Sequence, residues 1–312
     1  MKLRFLACAA AQLLTIVFPN QGATLSALRR LECDSEASGC VPISRSIGVQ
    51  ATTTLAEPEL PFRLSHGYLI IVEGEIGTLG HLKFILDTGA TVTIVDSRIA
   101  SKLKVAHQPT ESFNFDRTLR WEEAIFPEIH FGPVKRTNMV ALVGNLAHYS
   151  EYAADADAVV GLDFLRSSNF TVDYAAGKIV FHTVGEDAAV NANNAAPNLI
   201  VLKIQVQGQP VQLLVDTGFP GVLLFEERLL QSVPGLVLAR TDPRVTMGGR
   251  LHARESTLKR VSIGRTTGDV PVLVTQSPSV EVLQGLSGMI GITALHATRV
   301  NFDFSTGSFS WD

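Results

Sequence analysis

"FILDTGATVTIV" (Phe84–Val95) and "LLVDTGFPGVLL" (Leu213–Leu224) set the same tripeptide, Asp-Thr-Gly, inside two apolar runs of one chain. An aspartate in such a run is costly to bury unless it is paired or put to use. One copy is compatible with an ordinary turn, since these residues favour turns. Two copies in matching surroundings point to a repeated unit.

The repeat reaches well beyond the tripeptide. "YLIIVEGEIGTLGHLKFILDTG" (Tyr68–Gly89) matches "LIVLKIQVQGQPVQLLVDTG" (Leu199–Gly218). Both alternate apolar and polar residues toward a turn containing Gly, then become continuously apolar, the pattern of a hairpin feeding a buried strand. Downstream, "DAVVGLDFLRSSNFTVDYAAGKIVF" (Asp157–Phe181) matches "SGMIGITALHATRVNFDFSTGSFSW" (Ser287–Trp311). The distance from Asp87 to Gly161 is 74 residues and that from Asp216 to Gly291 is 75. Register held that closely across a whole half indicates one architecture used twice.

Within each half the pattern predicts strands with one short helix, "LDFLRSS" after Gly161 and "ITALHAT" after Gly291. The expected fold is all-β: an N-terminal lobe over residues 62–182 and a C-terminal lobe over 198–312. The linker, 183–197, lies in the Ala- and Asn-rich "HTVGEDAAVNANNAAPN", which has no apolar periodicity.

If the lobes pack about a pseudo-twofold axis, the two Asp-Thr-Gly loops meet on it, and Asp87 faces Asp216. Two carboxylates a few ångströms apart cannot both ionise cheaply, so they share a proton. The charged member can take a proton from water while the neutral one hydrogen-bonds a peptide carbonyl. That is general acid–base hydrolysis without a metal or a covalent intermediate.

These residues resemble the pepsin/retropepsin superfamily of aspartic proteases, over about Arg63–Asp312. The resemblance is to a secreted, bacterial-type retropepsin-like protein fused in tandem. It implies two retropepsin-like β lobes, a catalytic pair Asp87 and Asp216, no cofactor, and an extended polypeptide as substrate. It implies that Val159-Val160-Gly161 and Met289-Ile290-Gly291 pack beneath the active-site loops, and that Thr88 and Thr217 hydrogen-bond across the lobe interface. Gly89, Ala90 and Gly218 complete the loop support. Ala90 fits the retroviral form, whereas Phe219-Pro220 departs from the usual small residue. Phe219 either packs into its lobe or narrows the cleft. The family also closes a hairpin flap over its substrate; candidates lie in "DRTLRWEE" (Asp116–Glu123) and "VTMGGRLHA" (Val245–Ala253). Met247, Gly248 and Gly249 have the flexibility of a flap tip, and Trp121 is either a cap over a peptide side chain or a buried aromatic on its hairpin.

Other chemistries fit poorly. The eight His residues form no His-Glu-x-x-His pattern and no metal-ligand spacing with Cys. A net charge of −4, without a long Lys/Arg run, argues against nucleic acid as the main partner.

At the N-terminus, Lys2 and Arg4 precede the 14-residue apolar stretch "FLACAAAQLLTIVF", followed by "PNQGA". Residues 1–23 thus read as a signal peptide for export to the periplasm or the exterior. An uncleaved anchor is the alternative, and would be the chain's contact with a membrane. Residues 24–61 read as a flexible segment, either a tether or a pro-segment. Within it Cys33 and Cys40 form either a small disulfide loop or a pair of free thiols. With both lobes in one chain, a monomer is expected. A second function class remains open on this reading: a peptide-binding or scaffold protein that kept the cleft and lost turnover.

Overall fold

The computed structural model describes residues 57–114, 117–148, 155–184, 199–238, 243–246, 251–264, 266–277, 283 and 285–312. The leader reading, Cys33, Cys40, the linker over 185–197 and Met247–Gly249 lie outside the described residues.

In the first half, β1 (Glu59–Ser65) leads into the hairpin β2 (Leu69–Ile76)–β3 (Leu79–Leu86). Then follow β4 (Ile94–Asp96), helix α1 (Ser97–Leu103), the hairpin β5 (His107–Asn114)–β6 (Arg117–Phe131), and β7 (Val134–Gly144). The short strand β8 (Ala158–Val160) and helix α2 (Leu162–Leu165) close the lobe, and β9 (Ser168–Asp173) and β10 (Lys178–Val184) form a terminal hairpin. β3 and β8 run parallel, β8 and β4 antiparallel, β4 and β7 parallel, and β7, β6 and β5 antiparallel.

The second half repeats this in order. β11 (Val201–Val206) and β12 (Gln209–Val215) are its hairpin, followed by β13 (Val222–Phe225) and α3 (Glu226–Ser232). β14 (Pro243–Thr246), β15 (Leu251–Ile263), β16 (Thr266–Thr275) and β17 (Gly288–Ile290) follow. A 3-10 turn (Ile292–Leu295) precedes the hairpin β18 (Arg299–Asp303)–β19 (Ser308–Trp311). The pairings around the motif strand recur with the same sense: β12 with β17 parallel, β13 with β17 antiparallel, β13 with β16 parallel. The register recurs too. Leu86 opposes Val160 as Val215 opposes Ile290, so each Asp-Thr-Gly leaves its strand beside the Gly of the second motif.

The terminal hairpins join the lobes. β9 pairs antiparallel with β18, placing Thr171 opposite Asn301, which are equivalent positions in the two halves. Antiparallel pairing of equivalent residues puts a twofold axis between them. The flanking contacts obey it: Asn169 Nδ2 donates to Asp303 at 2.7 Å, and its counterpart Arg299 donates through Nη2 to Asp173 at 2.7 Å. On the axis the Thr171 hydroxyl donates to Asn301 Oδ1 at 2.5 Å. Beneath, Phe170 and Phe302 pack with ring centroids 5.1 Å apart and planes tilted by 38°, and the largest apolar cluster runs through both lobes.

The structure adds to the sequence reading in two places. Beyond the elements after Gly161 and Gly291, each lobe carries a seven-residue helix after its motif strand. The flexible stretch expected to reach Pro61 ends sooner, because Glu59–Pro61 already pairs with β10. That pairing satisfies backbone groups that composition alone left unassigned.

Candidate active site

Asp87 and Asp216 sit where β3 and β12 end, each tied by its own N–H to the second motif: to Val160 O at 3.1 Å and to Ile290 O at 2.9 Å. The loop then folds back on its carboxylate. Asp87 Oδ1 accepts from Gly89 N at 2.8 Å and Ala90 N at 3.2 Å, and Asp216 Oδ1 accepts from Gly218 N at 2.8 Å.

The two loops meet crosswise. A Cβ on Gly89 would lie 2.2 Å from Asp216 Oδ2, and one on Gly218 would lie 3.0 Å from Asp87 Cγ. Each carboxylate therefore rests over the glycine of the other lobe, an approach that only a residue without a side chain permits. Asp87 and Asp216 are 4 % and 1 % exposed and hydrogen-bonded to one another, which requires one of them to carry a proton. Burial pushes the Asp87 carboxyl up to about 6, against the opposing pull of the bonds from Gly89, Asp216 and Ala90.

Thr88 and Thr217 lock the loops reciprocally. Thr88 Oγ1 donates to Val215 O and Thr217 Oγ1 to Leu86 O, both at 2.9 Å. Each hydroxyl also accepts from the other threonine's backbone N–H, at 3.0 and 3.1 Å. All four bonds cross the lobe interface and all are buried.

Gly161 and Gly291 lie under the loops. A Cβ on Gly161 would meet Val92 C at 2.7 Å, and one on Gly291 would meet Phe219 O at 1.7 Å. In this sense the apolar-apolar-Gly motif is a platform for the loop above it.

Phe219 is 2 % exposed and packs into its own lobe with Leu214, Leu223, Phe225, Ala253 and Met289. The sheet registers explain why it fits there. Ala253 occupies the position equivalent to Trp121, Phe219 that of Ala90, and Thr275 that of Gly144. In the first lobe Trp121 lies against Gly144, where a Cβ would come within 2.4 Å of its ring. The large residue comes from β6 in one lobe and from the motif loop in the other. Trp121 is accordingly 4 % exposed within the core cluster that holds Ala90. Of the two readings open for Trp121, this burial fits the aromatic packed on its hairpin and not the cap over substrate: the Gly144 gap draws the indole inward.

The hairpins β5–β6 and β14–β15 occupy equivalent places in the two lobes, and "DRTLRWEE" falls largely on β6. Sequence reasoning missed Thr93 and Asp163. Thr93 N and Oγ1 both donate to Asp163, at 2.9 and 2.7 Å, beneath the Asp87 loop. A carboxylate two residues after Gly161, set between Leu162 and Phe164, was the available signal. Among the described residues no group of three or more His, Cys, Asp or Glu could hold a metal ion.

With this geometry in place, comparison with known proteins is informative for one half. A family model described as aspartyl protease matches residues 202–293, under a third of the 312-residue chain. The matched segment holds Asp216-Thr217-Gly218 and Met289-Ile290-Gly291. The second lobe thus carries an aspartyl protease pattern. Among solved structures, a retropepsin-like aspartic protease from Rickettsia conorii is similar at 17% identity, over 39% of this chain and 89% of that one, with a TM-score of 0.32. No curated protein matches.

Proposed function

We propose that this chain is an exported aspartic endopeptidase that hydrolyses extended polypeptides with water activated by Asp87 and Asp216. The observation that carries the reading is the crosswise seating of two hydrogen-bonded carboxyls on each other's motif glycines. With the Asp87 carboxyl pushed up to about 6, the pair can keep one member charged and one neutral in mildly acidic solution. The charged member takes a proton from water as that water attacks the scissile carbonyl. The neutral member hydrogen-bonds the carbonyl oxygen and stabilises its developing charge. The threonine lock holds both groups in one geometry, so little reorganisation is needed during reaction. Phe219 lies inside its lobe, which removes the ground for treating it as a plug. Export rests on the basic and apolar leader, and the lobes proposed are residues 62–182 and 198–312 within a monomer.

The test is hydrolysis of a mixed peptide library by wild type, Asp87→Asn, Asp216→Asn and the double variant, with thermal melts as folding control. Each single variant should lose on the order of 10²-fold or more, the scale of a missing acid or base. The double variant should be little worse than either, since the pair acts as a unit. Full activity in Asp216→Asn would end the shared-site reading. A folded wild type that binds peptides and cleaves none at any acid pH would make the chain a binding module.

A further inference from the structure

The two motif loops are alike above and different below. In the second lobe, the loop rests on backbone and hydroxyl groups: Gly291 N donates to Gly221 O at 2.7 Å and Thr293 Oγ1 to Pro220 O at 2.5 Å. In the first lobe the equivalent positions hold Thr93 in place of Val222 and Asp163 in place of Thr293. There Gly161 N donates to Thr93 Oγ1 at 3.2 Å, and that hydroxyl donates its own proton to Asp163 Oδ1 at 2.7 Å. Oδ1 also accepts from Phe164 N at 2.8 Å, while Oδ2 accepts from Thr93 N at 2.9 Å. Three donors converge on one carboxylate, and each of its oxygens is used as an acceptor. Asp163 in turn donates through its backbone N to Thr91 O at 3.2 Å, and Leu162 N donates to Ala90 O at 2.8 Å. The segment from Ala90 to Thr93 is therefore stitched to the residues after Gly161 through a single ionisable side chain.

We infer that Asp163, in its ionised form, is a positioning residue that holds the Asp87 loop in register with the dyad, and that the first lobe alone has such an anchor. This rests on the proteolytic reading of the dyad for its catalytic consequence, but the anchor itself does not. A protonated Asp163 cannot accept from all three donors, because one oxygen then carries a hydrogen facing the Thr93 N–H or hydroxyl. Burial pushes its carboxyl up to about 6; the bonds from Thr93 and Phe164, then the nearby Arg166 guanidinium, pull the other way. Arg166, at the C-terminal cap of α2, is the charged side chain that acts on it, and the loop segment Ala90–Thr93 facing it carries no charge. The anchor thus loosens as pH falls through that range, while the dyad loses its shared proton as pH rises. The two carboxyls bound a narrow working window from opposite sides.

Asp163→Asn tests this, with Thr93→Val as an independent break of the same contact and Thr93→Ser, which keeps the hydroxyl, as rescue. Peptide hydrolysis by Asp163→Asn and Thr93→Val should lose roughly tenfold in kcat with KM little changed, and their acid limbs should move to lower pH, where the dyad itself becomes fully protonated; Thr93→Ser should keep the wild-type rate and profile. Hydrogen exchange at pH 7 reads the anchor without turnover. In Asp163→Asn the amides of Thr93 and Gly161 should exchange at least tenfold faster, while those of Asp216 and Gly291 stay protected. Unchanged exchange at Thr93 and Gly161 in a folded Asp163→Asn would overturn the anchor. Faster exchange with an unaltered pH–rate profile would overturn its role in positioning Asp87. If the wild type hydrolyses nothing, the proteolytic reading fails by itself, and exchange still decides the anchor.

Discussion

Gly89 shows how little room the site leaves at the scale of one residue. A methyl group there would sit 2.2 Å from Asp216 Oδ2, well inside contact distance, with a buried carboxyl as the only thing to give way. Gly89→Ala should therefore push the dyad apart and cost on the order of 10²-fold in peptide hydrolysis, the scale of a displacement of about 1 Å. Gly80→Ala is the matched control, since its Cβ would meet nothing within 4 Å. Equal activity in the two variants would mean that the crosswise contact is dispensable. The sequence marks Gly89 as a turn residue, but its closest neighbour is more than a hundred positions away in the chain.

At the scale of elements, the lobes reach the same packing by different routes. Trp121 on β6 fills space over Gly144 in one, and Phe219 on the motif loop packs beside Ala253 in the other. Phe219→Ala should leave a cavity under the Asp216 loop and cost about 3–5 kcal/mol, measured by denaturant titration. A loss below about 1 kcal/mol would show that the ring is not part of this core. The helices α1 and α3 show why some elements escape a sequence reading. Seven residues allow less than two full turns of apolar periodicity, and among α3 residues only Leu229 is fully buried. One start signal was present for α1: Asp96 caps it, accepting from Arg98 N at 2.8 Å, and its second oxygen accepts from Leu146 N at 2.9 Å.

For the whole molecule, two sets of carboxyls oppose each other as pH changes. Asp87 and Asp163 are raised from 3.8 to about 6 by burial, so the folded chain binds their protons more tightly than the unfolded one. Their contribution to stability is full below about 4 and is lost as pH rises through 6. Asp173 and Asp303, at the lobe interface, are shifted the other way. The bond from Arg299 lowers Asp173, and hydroxyls of Ser305 and Thr306 bring Asp303 to about 2. Their contribution is present above about 4 and is lost as pH falls. Melting temperature followed from pH 2 to 8 should pass through a maximum near pH 4–5. In Asp87→Asn the decline above that maximum should be shallower. A melting temperature that climbs steadily to pH 8 would contradict the burial of both carboxyls.

The sequence by itself determined the β lobes and their kinship. Apolar alternation, turn glycines and a doubled Asp-Thr-Gly with a constant distance to apolar-apolar-Gly are local or periodic, and strands are read from such features. It also marked Asp87 and Asp216 as charges too expensive to bury without a purpose. What only the tertiary structure decided depends on pairs distant in the chain: the seating of each carboxyl on the opposite glycine, and the reciprocal threonine bonds. So too with the trade of Trp121 for Phe219 and the carboxylate of Asp163 under one loop alone. The first two follow from the twofold relation at Thr171 and Asn301, where strands from different halves pair, and the last two from packing inside each lobe. A one-dimensional pattern records which residues repeat; where the repeats touch is fixed by packing about that axis, and where they differ in the space they fill is fixed by packing within each lobe.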